Sequence, residues 1–398
     1  MRPLVLLFCL LTVISDSVCF AQEASYSDGH LNVKKRFTAI EVEALTADFR
    51  GITTSTGKRE GLFPIKQTGV STAPIVRAAQ AYLSLLSAPE LIRTQFAVDD
   101  PEWRRWFNVD NGIYVRQGLS LKEMNEQQRA AAWHLFQVSL SAKGIELSRN
   151  IMKTDQTLAE LNDSLFLDEQ LYFLTVMGTP SEKKPWGWQL DGHHLVINYF
   201  VMGDQVVMTP SFWGAEPAIT TSGKYAGNTV LQNEQNQGLA FMQKLSAEQQ
   251  KKATLDTRKT KDDMQAGAHK DNLVLDYAGL NGAAMTATQQ QELLELISLY
   301  ISNLREGHAE VRMDEVKTHL NDTWFAWIGG TTKESVFYYR IHSPVLLIEF
   351  DHQRPVGTAM LNQPGIPTRD HIHIIVRTPN GNDYGKDLLG QHLAKHAH

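Results

Sequence analysis

The residues in this chain best suited to chemistry are histidines and carboxylates that recur at strand-like spacing. His371 and His373 are two apart, and on a strand that spacing sends both imidazoles to one face. Ile372, Ile374 and Val376 then take the other face, which reads as core, while Ile375 and Arg377 continue the histidine face. Glu349 and Asp351 repeat the pattern, with Leu346, Ile348 and Phe350 opposite. Antiparallel pairing of these two segments would gather Glu349, Asp351, His371, His373 and Arg377 on one sheet face. Imidazoles with a carboxylate suit a divalent ion such as zinc, copper or iron. His193 and His194 follow Gly192. Adjacent strand residues face opposite ways, so a bend at Gly192 is needed to aim one of this pair at the site as a third imidazole ligand.

Three readings of this constellation stay open: a metal centre, a metal-free polar site, and histidines buried for structure. Under the first, the leading chemistry is hydrolysis. A metal with an open position acidifies bound water, Asp351 or Glu349 accepts its proton, and Arg377 and Arg340 hold an anionic substrate or a developing oxyanion. The alternatives are a copper- or iron-dependent oxidoreductase using the same histidines, and non-catalytic binding of a metal or ligand. Trp186 and Trp188 precede the histidine pair. Exposed, they would stack on a sugar or aromatic ring, making a small molecule or saccharide the substrate; buried, they are core. His392, His396 and His398 close the chain as a solvated tail with accessory metal binding as the second reading. The chain contains no G-x-S-x-G and no H-E-x-x-H. The stretch from Gly51 to Gly57-Lys58-Arg59 departs from a phosphate loop in spacing, and has Arg where a magnesium-binding hydroxyl is needed.

These residues need a scaffold, and the chain is long enough to build one. It has 398 residues, 42% hydrophobic and 21% charged, as in ordinary globular proteins. Lys plus Arg number 38 and Asp plus Glu 44, a net charge of −6 that argues against nucleic acid as the main partner. Arg2, the apolar run from Leu4 to Ile14 and the small residue Ala21 read as a secretory signal peptide over 1–21, too short an apolar stretch to span a membrane. The protein is therefore expected to be exported, to the periplasm or beyond. Both cysteines, Cys9 and Cys19, fall inside that segment, so the mature chain would lack disulfides and thiolate ligands.

Residues 22–398 are expected to form a single large unit, with a helical lobe over 72–165. Residues 22–70 read as an extended lead-in. Helical periodicity is clearest from Leu121 to Leu140, with Gly144 as a stop, and recurs over 240–253 and 288–304. Strand formers flank Gly203-Asp204 as a hairpin and fill 335–351 and 371–377. Lys251 to Asn272 reads as a surface loop or helix extension. Grouped strands and grouped helices predict an α+β fold: a helical N-terminal half packed on an antiparallel sheet made mainly by residues about 186–210 and 335–378.

Two sets of motifs also carry a resemblance. The first is Pro185-Trp-Gly-Trp-Gln189, Gly192-His-His194, Thr209-Pro210, Gly214-Ala215 and Pro217-Ala218. The second is Tyr339-Arg340, Glu349-Phe-Asp351, His371-Ile-His373, Arg377, Asn382-Asp383-Tyr-Gly385 and Asp387-Leu-Leu389. Together with Asp100, Trp106, Gln127-Gln128-Arg129 and Gly144, they resemble the bacterial and fungal family known as domain of unknown function 3500, over roughly residues 75–396. The resemblance implies one domain-sized unit, exported or of mixed location, and no established reaction. Family members usually carry Asn where this chain has His352, which makes His352 a weaker ligand candidate than His371 or His373.

Overall fold

The strands around Glu349 and His371 pair antiparallel, with Asp351 opposite His373, Glu349 opposite Ile375 and Leu347 opposite Arg377. They lie at the centre of a thirteen-stranded sheet in a computed structural model that describes residues 28–395. The predicted signal peptide, His396 and His398 lie outside those residues.

The strands are β1 (Gln95–Phe96), β2 (Leu119–Ser120), β3 (Phe173–Met177), β4 (Trp186–Gly192), β5 (Leu195–Met202), β6 (Gln205–Val207), β7 (Ser211–Ala215), β8 (Thr254–Asp256), β9 (Leu280–Asn281), β10 (Trp324–Gly329), β11 (Phe337–His342), β12 (Leu347–His352) and β13 (Ile372–Arg377). The main order is β1-β3-β4-β5-β7-β13-β12-β11-β10-β8. Pairing is antiparallel through the centre and parallel at β1–β3 and β8–β10. The helices are α1 (Asp28–Thr46), α2 (Ala73–Ser84), α3 (Ala88–Thr94), α4 (Glu126–Ser139), α5 (Ala142–Asn162), α6 (Gln232–Lys244), α7 (Ala247–Ala253), α8 (Ala287–Ile301), α9 (Glu306–Thr318) and α10 (Lys386–Lys395). The fold is α+β, but helices are not confined to the N-terminal half.

Many helix starts are written locally. Capping boxes open α3 (Ser87 with Glu90), α4 (Asn125 with Gln128), α7 (Ser246 with Gln249) and α8 (Thr286 with Gln289). The box at Ser246 divides what periodicity merged over 240–253 into two helices. Gly144 is not a stop. Its backbone N–H donates to Ser141 Oγ in the first turn of α5, and a Cβ there would stand 2.4 Å from the carbonyl oxygen of Asn303. The lead-in also differs from expectation. Residues 28–46 are helical, and the carbonyls of Ala44 and Ala47 at the end of α1 accept from the Arg104 guanidinium, a distant partner no local pattern announces.

One face of the sheet packs against helices. Tyr199 and Tyr339 point there, donating to the carbonyls of Ser139 on α4 and Glu234 on α6. The other face carries the odd-numbered residues of β12 and β13. It is covered by residues 257–279, a surface segment that crosses the sheet as a strap.

Candidate metal centre

Four strand ends meet at one end of the sheet. Gly192 pairs with Leu195, Leu195 with Trp213, and Gly214 with His373. His193 and His194 are thus the two loop residues of the β4–β5 hairpin, and neither belongs to a strand. The bend falls at His194 itself, whose φ of 59° is left-handed. That conformation costs an L-residue roughly 1–2 kcal/mol, so a non-glycine there is held by its surroundings. Gly192 has another reason to be small: a Cβ would stand 2.2 Å from the Tyr172 ring.

The bend turns His194 toward β13. His194 Nε2 lies 3.3 Å from His371 Nε2 and 3.1 Å from His373 Nε2, and the last two are 2.9 Å apart. Tetrahedral ligands at about 2.0–2.1 Å from a metal are about 3.3–3.4 Å apart, and right-angled ones about 2.9 Å. The triangle has the size of one coordination face, and this group could hold a metal ion. A proton on one Nε2 could bridge only one pair at a time, whereas a cation satisfies all three lone pairs together. His194 and His371 are 2% and 4% exposed, and His373 is partly exposed.

Burial pushes the pKa of His194 and His373 well below the usual range, with the neighbouring imidazoles adding to it. Burial also lowers His371, opposed by the Glu216 carboxylate. All three are held neutral, the form that ligates.

The surrounding shell orients His371 and packs on His194, whose Nδ1 has no hydrogen-bond partner among the described residues. His371 Nδ1 lies 2.7 Å from the Arg354 carbonyl, so its proton sits there and Nε2 presents a lone pair. Glu216, 3.5 Å from His371 Nδ1, accepts from the backbone N–H groups of Val356, Gly357 and Thr358, fastening that loop to the site. His193 stacks on His194 with ring centroids 3.8 Å apart and binds Asp155 Oδ1 through Nδ1 at 2.7 Å. Burial pulls its pKa down, but the Asp155 charge and hydrogen bond prevail and raise it. The Tyr172 hydroxyl donates to the other oxygen of Asp155 and lies 2.9 Å from the His193 carbonyl oxygen. Asp155, His193 and His194 form a second group whose ligand atoms could hold an ion.

The other predicted residues are engaged elsewhere. Glu349 and Asp351 share the sheet face of His373, but the strap takes them. Glu349 accepts from the N–H groups of Gln265 and Ala266 and from the Tyr338 hydroxyl. Asp351 accepts from the N–H groups of Asp263 and Met264 and meets Lys259. Arg377 donates to the carbonyls of Ala266 and Gly267 and pairs with Asp271 and Asp383. Arg340 donates to the Asp276 carbonyl. Neither carboxylate belongs to a group that could hold a metal among the described residues, nor does His392 on α10. Trp186 and Trp188 are 0% exposed, and Trp188 stacks on Tyr199, so both are core and offer no platform to a sugar. His352 accepts from the Phe337 N–H at Nδ1 and meets Gln235 at Nε2, a structural histidine.

Sequence reading missed Asp155 and Glu216. Asp155 carried a usable signal, a carboxylate on the helix stripe of Ile151, Met152 and Leu158 where an apolar residue belongs. Glu216 stands inside a quoted motif, between Ala215 and Pro217, but nothing local ties it to His371.

Among the described residues no helix is long and apolar enough to cross a membrane. The family model described as "Protein of unknown function (DUF3500)" matches residues 68–386. No curated protein and no solved structure matches the chain.

Proposed function

The chain belongs to that family, and on this premise we propose that it is an exported, metal-dependent hydrolase whose ion is held by His194, His371 and His373. The observation that supports this most is the triangle of Nε2 atoms, at 2.9–3.3 Å. An all-imidazole donor set without thiolates suits zinc, and copper or iron next. His194, His371 and His373 would hold the ion, and zinc bound there would lower the pKa of a water molecule. His193 stacks on His194, one of these three. Asp155 holds its Nδ1–H, which leaves Nε2 as the acceptor for a proton. This pair takes the general-base role that strand spacing gave to Glu349 and Asp351. Export rests on the first 21 residues alone.

Elemental analysis of the purified full chain tests the reading, together with a panel of small ester, amide and phosphoester substrates. One zinc per chain, and hydrolysis removed by chelator and restored by zinc, is the expected result. Bound copper or iron with a visible absorption band would transfer the same histidines to redox chemistry. A chain that binds no divalent metal overturns the proposal.

A further inference from the structure

A buried amine lies outside that chemistry. Lys259, in the strap, has a side chain 0% exposed, with Nζ 2.9 Å from Asp351 Oδ1 and 3.1 Å from Asp263 Oδ2. Those two carboxylate oxygens are buried and, among the described residues, neither has a hydrogen bond of good geometry, so the amine meets them as ion pairs while donating its hydrogen bond to the Lys261 carbonyl. The other oxygen of Asp351, Oδ2, is held by the N–H groups of Asp263 at 2.7 Å and Met264 at 2.9 Å and by the Gln353 side-chain amide. Burial raises the Asp351 carboxyl to about 7, although Lys259 opposes it, so its protonated form is present near neutral pH. Gly329, at a φ of 111°, lets Lys259 run against β10: a Cβ at 329 would stand 3.2 Å from Lys259 Cβ.

An amine 2.9 Å from one carboxyl oxygen, three donors on the other and a second carboxylate on the amine are the parts of an acyl transfer. We propose that Lys259 and Asp351 join in an intramolecular isopeptide bond. Asp263 takes one proton from the Lys259 ammonium and stays protonated. The freed lone pair of Nζ attacks Asp351 Cγ, and the charge that develops on Oδ2 meets the three donors. The Oδ1 hydroxyl leaves with a second amine proton as water. One C–N bond forms, one C–O bond breaks, and nothing is oxidised or reduced. Groups held in contact have effective molarities of about 10⁵–10⁸ M, which favours condensation over hydrolysis in a site closed to water. The bond would fasten the strap to β12 in a chain whose only cysteines are Cys9 and Cys19. It does not depend on the metal reading. The same contacts without condensation are a buried ion pair, and mass distinguishes the two.

Purified full-length protein is digested and sequenced by tandem mass spectrometry. The expected result is a branched peptide joining positions 259 and 351, lighter by one water than its two arms. Lys259→Arg and Asp263→Ala should yield the linear peptides. Linear, unmodified peptides covering both positions in the wild type would mean an ion pair only and overturn the proposal, with no variant needed. A crosslink that survives Asp263→Ala overturns the role given to Asp263.

Discussion

Gly214 on β7 faces the imidazole of His194: a Cβ at 214 would stand 3.0 Å from Cδ2 and 3.2 Å from Cγ of that ring. The strand pairing that places Gly214 opposite His373 therefore also leaves the space into which the hairpin histidine turns. Gly214→Ala should crowd His194 by a few tenths of an ångström and weaken metal binding about tenfold, and Gly214→Val more, a loss typical of disturbed ligand orientation. Competition with a chromogenic chelator measures it. Unchanged affinity in both variants would show that His194 is not a ligand.

Replacing His371 or His373 by Ala should remove metal and activity with little loss of fold, because Ile372, Ile374 and Val376 pack the opposite face of β13. Bound metal at about 100–1,000 times its Kd stabilises by about 3–4 kcal/mol. Chelator should thus lower the wild-type melting temperature and leave each mutant unchanged. A mutant that melts far lower while chelator leaves the wild type unmoved would make these histidines structural.

His352 should behave in the opposite way. His352→Ala leaves the buried Phe337 N–H without its acceptor and should cost about 1–3 kcal/mol. Metal content should not change. His352→Asn can return an acceptor oxygen and should recover most of the loss. Urea titration of the three proteins checks the order.

Glu102 gives the chain a pH dependence. It is buried with Oε2 lacking a hydrogen-bond partner among the described residues, and burial raises its carboxyl to about 8, with Arg105 opposing. Below about pH 4 the group is protonated in both folded and unfolded chains. Between there and 8 only the folded state keeps the proton, so its stabilising contribution is lost as pH rises through that window. Melting temperature should fall from pH 5 to pH 9, and Glu102→Gln should flatten the fall. An identical slope in wild type and variant would place the titration elsewhere.

Export predicts that protein recovered from outside the cytoplasm begins near Gln22 and reacts with no thiol reagent. N-terminal peptide mapping checks both, and an intact Met1 on exported protein would contradict the leader.

The sequence by itself determined what is periodic or local. Alternation along 346–351 and 371–377 gave two strands and their faces, because side chains on a strand alternate whatever lies around them. The capping boxes that open α3, α4, α7 and α8 are local in the same sense. A histidine group that could hold an ion was also legible, from His371 and His373 on one strand face and the adjacent pair His193 and His194. Tertiary structure alone decided which side chains meet. Alternation put Glu349, Asp351 and His373 on one face. It could not say that residues 257–279 would fold over that face and claim both carboxylates through backbone N–H groups. Nor could it say that Asp155 on α5 would support His193, or that Glu216 would stand behind His371. Those contacts join segments far apart in the chain. They are set by how the strap, α5 and the hairpin pack on the sheet, which no local spacing encodes.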